Sequence, residues 1–244
     1  MAGHAFVFWL RRQGIFWMLA LPIAGLGAGI VHVVESNQQF IDYRQHWAWN
    51  LLFALIYALF LDRWIKEALL DGADDCDEVD TLRRSMISPR FVAFVLLLFG
   101  LAMALTELPV LKIAGVPWLP EIIVWAVVAA PLALLLPSLS AGEPLSLGGA
   151  WSAGRPALLS LFALIGGAAL LSLLAAAAAT QGGLHLLPGK PWADAVVAGA
   201  ARLIDCLLLT FVGYGLAALF RERTGWQQPA PEDHAYRGIR ARKA

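Results

Sequence analysis

The chain reads as an all-α, polytopic helical membrane protein with six transmembrane helices and both termini cytoplasmic. Three observations point there. Apolar residues make up 59% of the sequence and charged residues only 15%, whereas a soluble domain is about one-quarter charged. Six stretches stay apolar over a length near the roughly 20 residues that cross a hydrocarbon core, and none shows the two-residue alternation of a transmembrane barrel. The basic residues are also strongly biased to one set of connecting segments. A mean hydropathy of +0.68 agrees with the class.

Residues 4–13, HAFVFWLRRQ, are aromatic and basic and suit the membrane interface. Arg11 and Arg12 followed by an apolar run resemble a signal peptide. The run at 15–34 is longer than a signal core of about 7–15 residues, and no clear cleavage site follows. It is read as a retained first span, in which Gly25 and Gly29 form a small-xxx-small pair for close helix approach. A polar loop at 35–46 leads to span two, 47–65, with Trp47 and Trp49 at one end and Asp62, Arg63 and Trp64 at the other as interfacial belts. The loop 66–90 is acidic in its first part, KEALLDGADDCDEVD, and basic in its second, TLRRSMISPR.

Span three, 91–111, and span four, 120–139, are separated by the tight break KIAGVPWLP, and Pro131 is expected to kink span four. Next comes a short interfacial element over 146–153, with Ser146 as its N-cap and Gly154 at its end. Pro156 then opens span five, 157–179, whose AAAAA run at 175–179 offers a smooth packing surface. Span six covers 193–220. Residues 1–220 therefore form one membrane domain, and 221–244 form a polar, basic cytoplasmic tail.

Six spans place both termini on one side. Counted over that side, the N-terminal arm, the 62–90 segment, the 140–156 segment and the tail carry two, five, one and six Lys/Arg, fourteen in all. The opposite loops carry three, Arg44, Lys112 and Lys190. The bias of basic residues toward the cytoplasm assigns the fourteen to that side.

The sharpest local signal is Arg202 with Asp205 in ARLIDCLLL. Three residues apart, they share a helix face and can pair. Ionisable groups inside a span are costly and point to function. Arg202 lies nine residues in from Ala193, about 13 Å at the helical rise. The pair reads either as a polar site in a cavity, serving as a proton relay or an anchor for an anionic headgroup or solute, or as a self-neutralised lock between span six and its neighbours. Glu107, near the outer end of span three, reaches Arg202 if spans three and six pack together; otherwise it is an interfacial carboxylate. His32 and Tyr214 read as interfacial groups.

Arg11, Arg12, Arg83, Arg84, Arg90, Arg240, Arg242 and Lys243 are assigned to topology and to anionic lipid headgroups, at about 1 kcal/mol each near the surface. The acidic cluster from Asp71 to Asp80 lacks the pattern of a calcium loop and reads as a solvated loop. Cys76 and Cys206 have no evident partner, so no disulfide is expected. No metal-ligand spacing, cofactor motif, nucleophile elbow, zinc-protease motif or phosphate loop occurs. The zero net charge gives no reason to expect nucleic acid. No cofactor, no metal and no enzymatic activity are expected.

Two patches carry a resemblance. DRWIKEALLDG at the end of span two, and LPSLSAGEPLSLGGAWSAGRPALL with Pro137, Gly142, Ser146, Ala150, Trp151, Gly154 and Arg155, resemble a broad group of bacterial six-span proteins. That group includes the membrane domain found fused to some glycerophosphodiester phosphodiesterases. The resemblance implies a six-helix bundle in the bacterial inner membrane with cytoplasmic termini. Its motifs are structural, and the phosphodiesterase domain has no counterpart here, so that activity is not carried over. The functional expectation is a non-enzymatic assembly, scaffold or lipid-organising component, whose partners are membrane lipids and other membrane proteins or copies of itself. The alternative is a small oligomeric transporter or channel-like protein using the Arg202–Asp205 pair.

Overall fold

The computed structural model describes residues 2–36, 43–70, 86–106, 130–186 and 192–227, and its regular elements are all helical. They are α1 (Ala2–Arg11), α2 (Gln13–Ser36), α3 (Tyr43–Leu69), α4 (Pro89–Thr106), α5 (Ala130–Leu132), α6 (Leu135–Ala141), α7 (Leu147–Gly154), α8 (Leu158–Leu186) and α9 (Ala193–Thr224), with a 3-10 turn at Arg155–Ala157 before α8. Four stretches are long and apolar enough to cross a membrane: Gln13–Val33, Ala48–Leu69, Leu147–Ala175 and Ala193–Thr224. Two shorter apolar helices, Pro89–Leu101 and Ala130–Ala141, overlap the third and fourth expected spans. Residues 107–111 and 120–129 of those spans, Glu107 included, lie outside the described residues.

The centre of the bundle is α9, which packs along α2, α8 and α3, while α3 also packs on α4 and α6. Small residues set how closely α9 approaches its neighbours. A Cβ on Gly199 would lie 3.3 Å from the Ala24 carbonyl oxygen and 3.4 Å from the Ala28 methyl. A Cβ on Gly213 would come 3.2 Å from both Leu61 and Trp64. The expected Gly25–Gly29 contact is not the one used, because both glycines face open space. The stripe that meets α9 is Ala24, Gly27 and Ala28, one helix face away. Gly199→Leu should therefore push α2 off α9 and cost about 1–3 kcal/mol, the usual range for overpacking. A thermal melt in detergent checks this, with Gly25→Leu expected to leave the midpoint near wild type.

The N-terminal arm packs one face into the bundle and exposes Phe6, Val7 and Leu10 on the other. Ala5 and Phe8 are buried, and the Phe8 ring meets Tyr214 of α9 at 5.1 Å and Trp64 of α3 edge-on at 5.6 Å. Phe60 stacks on Trp64 at 6.0 Å, and Phe16 meets it edge-on at 6.3 Å. Trp64 is thus the hub of an aromatic core joining α1, α2 and α3, not an interfacial belt residue. Residues 66–69, expected in a loop, continue α3, and Lys66 and Glu67 are buried.

The fourth apolar stretch breaks at 133–134 between α5 and α6, where Pro137 acts, and the turn before Pro131, where its expected kink would fall, lies outside the described residues. Pro137 has no N–H for the Ala133 carbonyl and its ring crowds that oxygen. The chain tightens instead into turns in which Ala133 N–H donates to Ala130 O (3.2 Å) and Leu136 N–H to Ala133 O (3.1 Å). Helix α6 stops at Gly142, whose φ of 78° is a left-handed conformation that suits glycine. Ser146 caps α7 as expected, its Oγ accepting from Gly149 N–H at 3.0 Å. Gly154 ends α7 where a Cβ would sit 3.0 Å from the Pro131 carbonyl oxygen. α8 runs on to Leu186, and one side of it exposes Leu159, Phe162, Leu170, Leu171 and Leu174. Within the alanine run, Ala175 is half-buried and Ala177 and Ala178 are exposed.

Candidate functional site

Two polar clusters interrupt the apolar bundle, one half-buried and one buried. The first is built around Arg202 and Asp205 of α9. Their helical spacing brings Arg202 Nη1 to 3.5 Å from Asp205 Oδ2, so the expected pair forms, loosely. The carboxylate is held more closely by two neutral hydroxyls from other helices. Tyr57 of α3 donates to Asp205 Oδ2 at 2.8 Å, and Ser172 of α8 donates to Oδ1. Arg202 Nη1 also donates to the Tyr57 oxygen at 3.3 Å. Its guanidinium carbon stands 4.1 Å from the centre of the Phe53 ring, a cation–π contact in which the ring's negative face meets the charge.

The stem of Arg202 passes over α2 at Gly27, where a Cβ would lie 2.7 Å from the arginine Cγ. Gly27 thus leaves room for the arginine to cross toward α3. The cluster ties α3, α8 and α9 together through side chains that each need a polar partner in an apolar medium.

The pair does not close the space around it. A cavity of about 390 Å³ lies among α3, α4, α6, α8 and α9. Asn50, Tyr57, Ser172, Arg202 and Asp205 line its polar part, and side chains such as Leu61, Val95, Leu136, Ile165 and Leu216 line the rest.

The spacing of Arg202 and Asp205 identifies them in the sequence, but Tyr57, Ser172 and Phe53 went unnoticed. A signal was present. Tyr57 is ten residues in from 47, and Ser172 is seven residues in from 179. Counted from the same side of the membrane, both reach the depth of Arg202. A lone hydroxyl at matching depth in another span marks a partner for a buried carboxylate.

The second cluster lies at the other end of α3. Asp62 is 2% exposed and Lys66 5%. Lys66 Nζ donates to Asp62 Oδ2 at 2.8 Å and also to the Met86 carbonyl. Asp62 further accepts from Ser88 N–H at 3.0 Å and from Ser140 Oγ–H at 2.7 Å. One carboxylate thereby joins α3, the start of α4 and α6. Next to it, Glu67 receives Arg63 Nη2 at 2.8 Å and Arg12 Nη1 at 3.7 Å. Arg12, expected to touch lipid headgroups, instead ties the start of α2 to α3. This network is fully committed to holding helices, and it carries the DRWIKEALLDG patch.

Among the other expected residues, Arg11 and Arg90 are exposed and free to meet headgroups, and so is His32. Arg83, Arg84, Arg240, Arg242 and Lys243, together with the acidic cluster Asp71–Asp80 and Cys76, lie outside the described residues. Cys206 is buried and unpaired. Among the described residues no three His, Cys, Asp or Glu side chains group as metal ligands. No protein family, curated protein or solved structure matches the chain.

Proposed function

We propose that the chain is a six-span bacterial inner-membrane protein with cytoplasmic termini, and that it works without enzymatic chemistry as a lipid-handling or transport component that takes an amphipathic solute into the bundle. The observation that carries this reading is the cavity of about 390 Å³ reaching Arg202 and Asp205. Its volume falls within the range of about 300–1,000 Å³ usual for small-molecule sites, and its walls combine a few convergent polar groups with a larger apolar surface. A pair serving only as a lock would be sealed by its neighbours. The lysine and arginine bias and the four long apolar helices support the topology. The resemblance to bacterial six-span proteins supports the location.

The assembly reading keeps one observation in its favour. The outward leucines and phenylalanine of α8 offer a continuous apolar surface to lipid or to another membrane helix.

Cysteine labelling in native membranes tests the site. In a background with Cys76 and Cys206 replaced by serine, Ser172→Cys and Leu209→Cys should react with a charged, water-soluble thiol reagent. Leu171→Cys, on the exposed side of α8, should not. Silence at both lining positions would rule out a solute-accessible chamber and return the pair to a structural role.

A further inference from the structure

We propose that the chamber takes an amphipathic anion, with its acidic headgroup on Arg202 and its apolar chain lying along α9 toward Leu216. This rests on the reading of the chamber as a ligand site and adds the ligand's charge and direction.

The charge follows from the distribution of hydrogen bonds. Asp205 is already served: Ser172 donates to Oδ1, and Tyr57 donates to Oδ2 at 2.8 Å. Arg202 is the under-used partner. A guanidinium carries five N–H donors. Among the described residues only Nη1 donates, to Tyr57 at 3.3 Å and to Asp205 at 3.5 Å, both long for a charged donor. Nε and Nη2 have no acceptor among the described residues. A cation with spare donors on a cavity wall in an apolar bundle favours an oxyanion, which can take two parallel N–H bonds at once. A cationic headgroup would meet Arg202 and find Asp205, the one carboxylate among the described residues lining the chamber, already occupied. The arginine is also pre-positioned: its stem fits against Gly27 and its plane lies against Phe53 at 4.1 Å, so binding requires little reordering.

The direction follows from where the polar groups stop. On α9 the lining runs from Arg202 and Asp205 through Leu209 to Leu216. From Asp205 to Leu216 the helix rises about 16 Å. Along that length the facing walls are apolar, with Leu61 from α3 and Leu136 from α6. A small polar anion would leave this part of the chamber unfilled, whereas an acyl chain fits its chemistry. The acidic group can be the carboxylate of a free fatty acid or the phosphate of a lysophospholipid, since both present the same planar pair of oxygens to arginine.

Equilibrium binding to the purified full-length chain in nonionic detergent decides the matter, with palmitate, palmitoyl lysophosphatidate and hexadecanol as probes of one chain length. At least one acid should bind about tenfold tighter than hexadecanol, a difference well outside measurement error. The stronger of the two acids identifies carboxylate or phosphate as the source. Arg202→Gln should abolish that preference, bringing both acids to the affinity of hexadecanol, and Arg202→Lys should retain part of it. The wild-type comparison needs no variant, so it stands even if Arg202→Gln does not fold. Equal binding of all three probes, insensitive to Arg202→Gln but weakened by Leu209→Trp, overturns the anion inference and leaves the chamber reading intact. Failure of all three to bind overturns both.

Discussion

Asp62→Ala is expected to destabilise the bundle by about 3–5 kcal/mol, the cost of removing one partner from a buried ion pair. The size follows from what the substitution strands. Lys66 is 5% exposed and would be left with the Met86 carbonyl as its polar partner among the described residues. Ser88 N–H and the Ser140 hydroxyl would lose their acceptor in the same step. Three helical segments would then share one unpaired cation. Reversible unfolding in mixed micelles measures the loss. The double variant Asp62→Ala/Lys66→Met should recover much of it, because an apolar residue of similar length removes the stranded charge. A loss below about 1 kcal/mol for the single variant, within the range of ordinary substitutions, would mean that water reaches Lys66 and that the cluster is not a staple.

Trp64→Ala should cost a comparable amount, about 3–5 kcal/mol, as for other large aromatic side chains truncated in a core. Trp64 is 0% exposed, and its ring touches Phe8, Phe16 and Phe60. Association of helices in lipid relies on van der Waals contact more than on water exclusion. Alanine would remove the shared contact surface of α1, α2 and α3, and the ring pairs would lose their edge-to-face and stacked geometry. Trp64→Phe should retain most of the stability, since the Trp64 Nε1 has no hydrogen-bond partner among the described residues. Limited proteolysis gives a second measure: α1 should become cleavable in Trp64→Ala, because Phe8 is one of its main anchors.

Both predictions concern residues that the sequence places at a membrane interface. Asp62, Arg63 and Trp64 have the composition of a helix end, and composition cannot distinguish an end facing headgroups from one folded into the bundle. The deciding contacts come from far along the chain: Ser88 is 26 residues from Asp62, and Ser140 is 78. Arg12 is a similar case. A basic residue before an apolar run suits topology, yet here it reaches Glu67 at 3.7 Å. Glycine positions show the same limit. A small-xxx-small pattern says that a helix has a smooth face, but several faces of α2 are smooth. The partner selects Ala24, Gly27 and Ala28 because Gly199 and the Arg202 stem require depth there.

What could be read locally was read correctly. The helical class and the long apolar stretches follow from side-chain composition, because a backbone in lipid must satisfy its own hydrogen bonds. The Ser146 cap follows from the chemistry of a single residue. The meeting of Arg202 with Asp205 follows from helical periodicity alone, since both side chains rise from one face of α9. None of these depends on which helices are neighbours. The rest does. Tyr57 lies 148 residues from Asp205 and Ser172 lies 33, and only the packing of α3, α8 and α9 brings their hydroxyls to one carboxylate. The chamber beside them is likewise a property of the packing, being the space that five helices leave between them. Local spacing can place a charge inside a membrane, but only the neighbouring helices determine which of its hydrogen bonds are met.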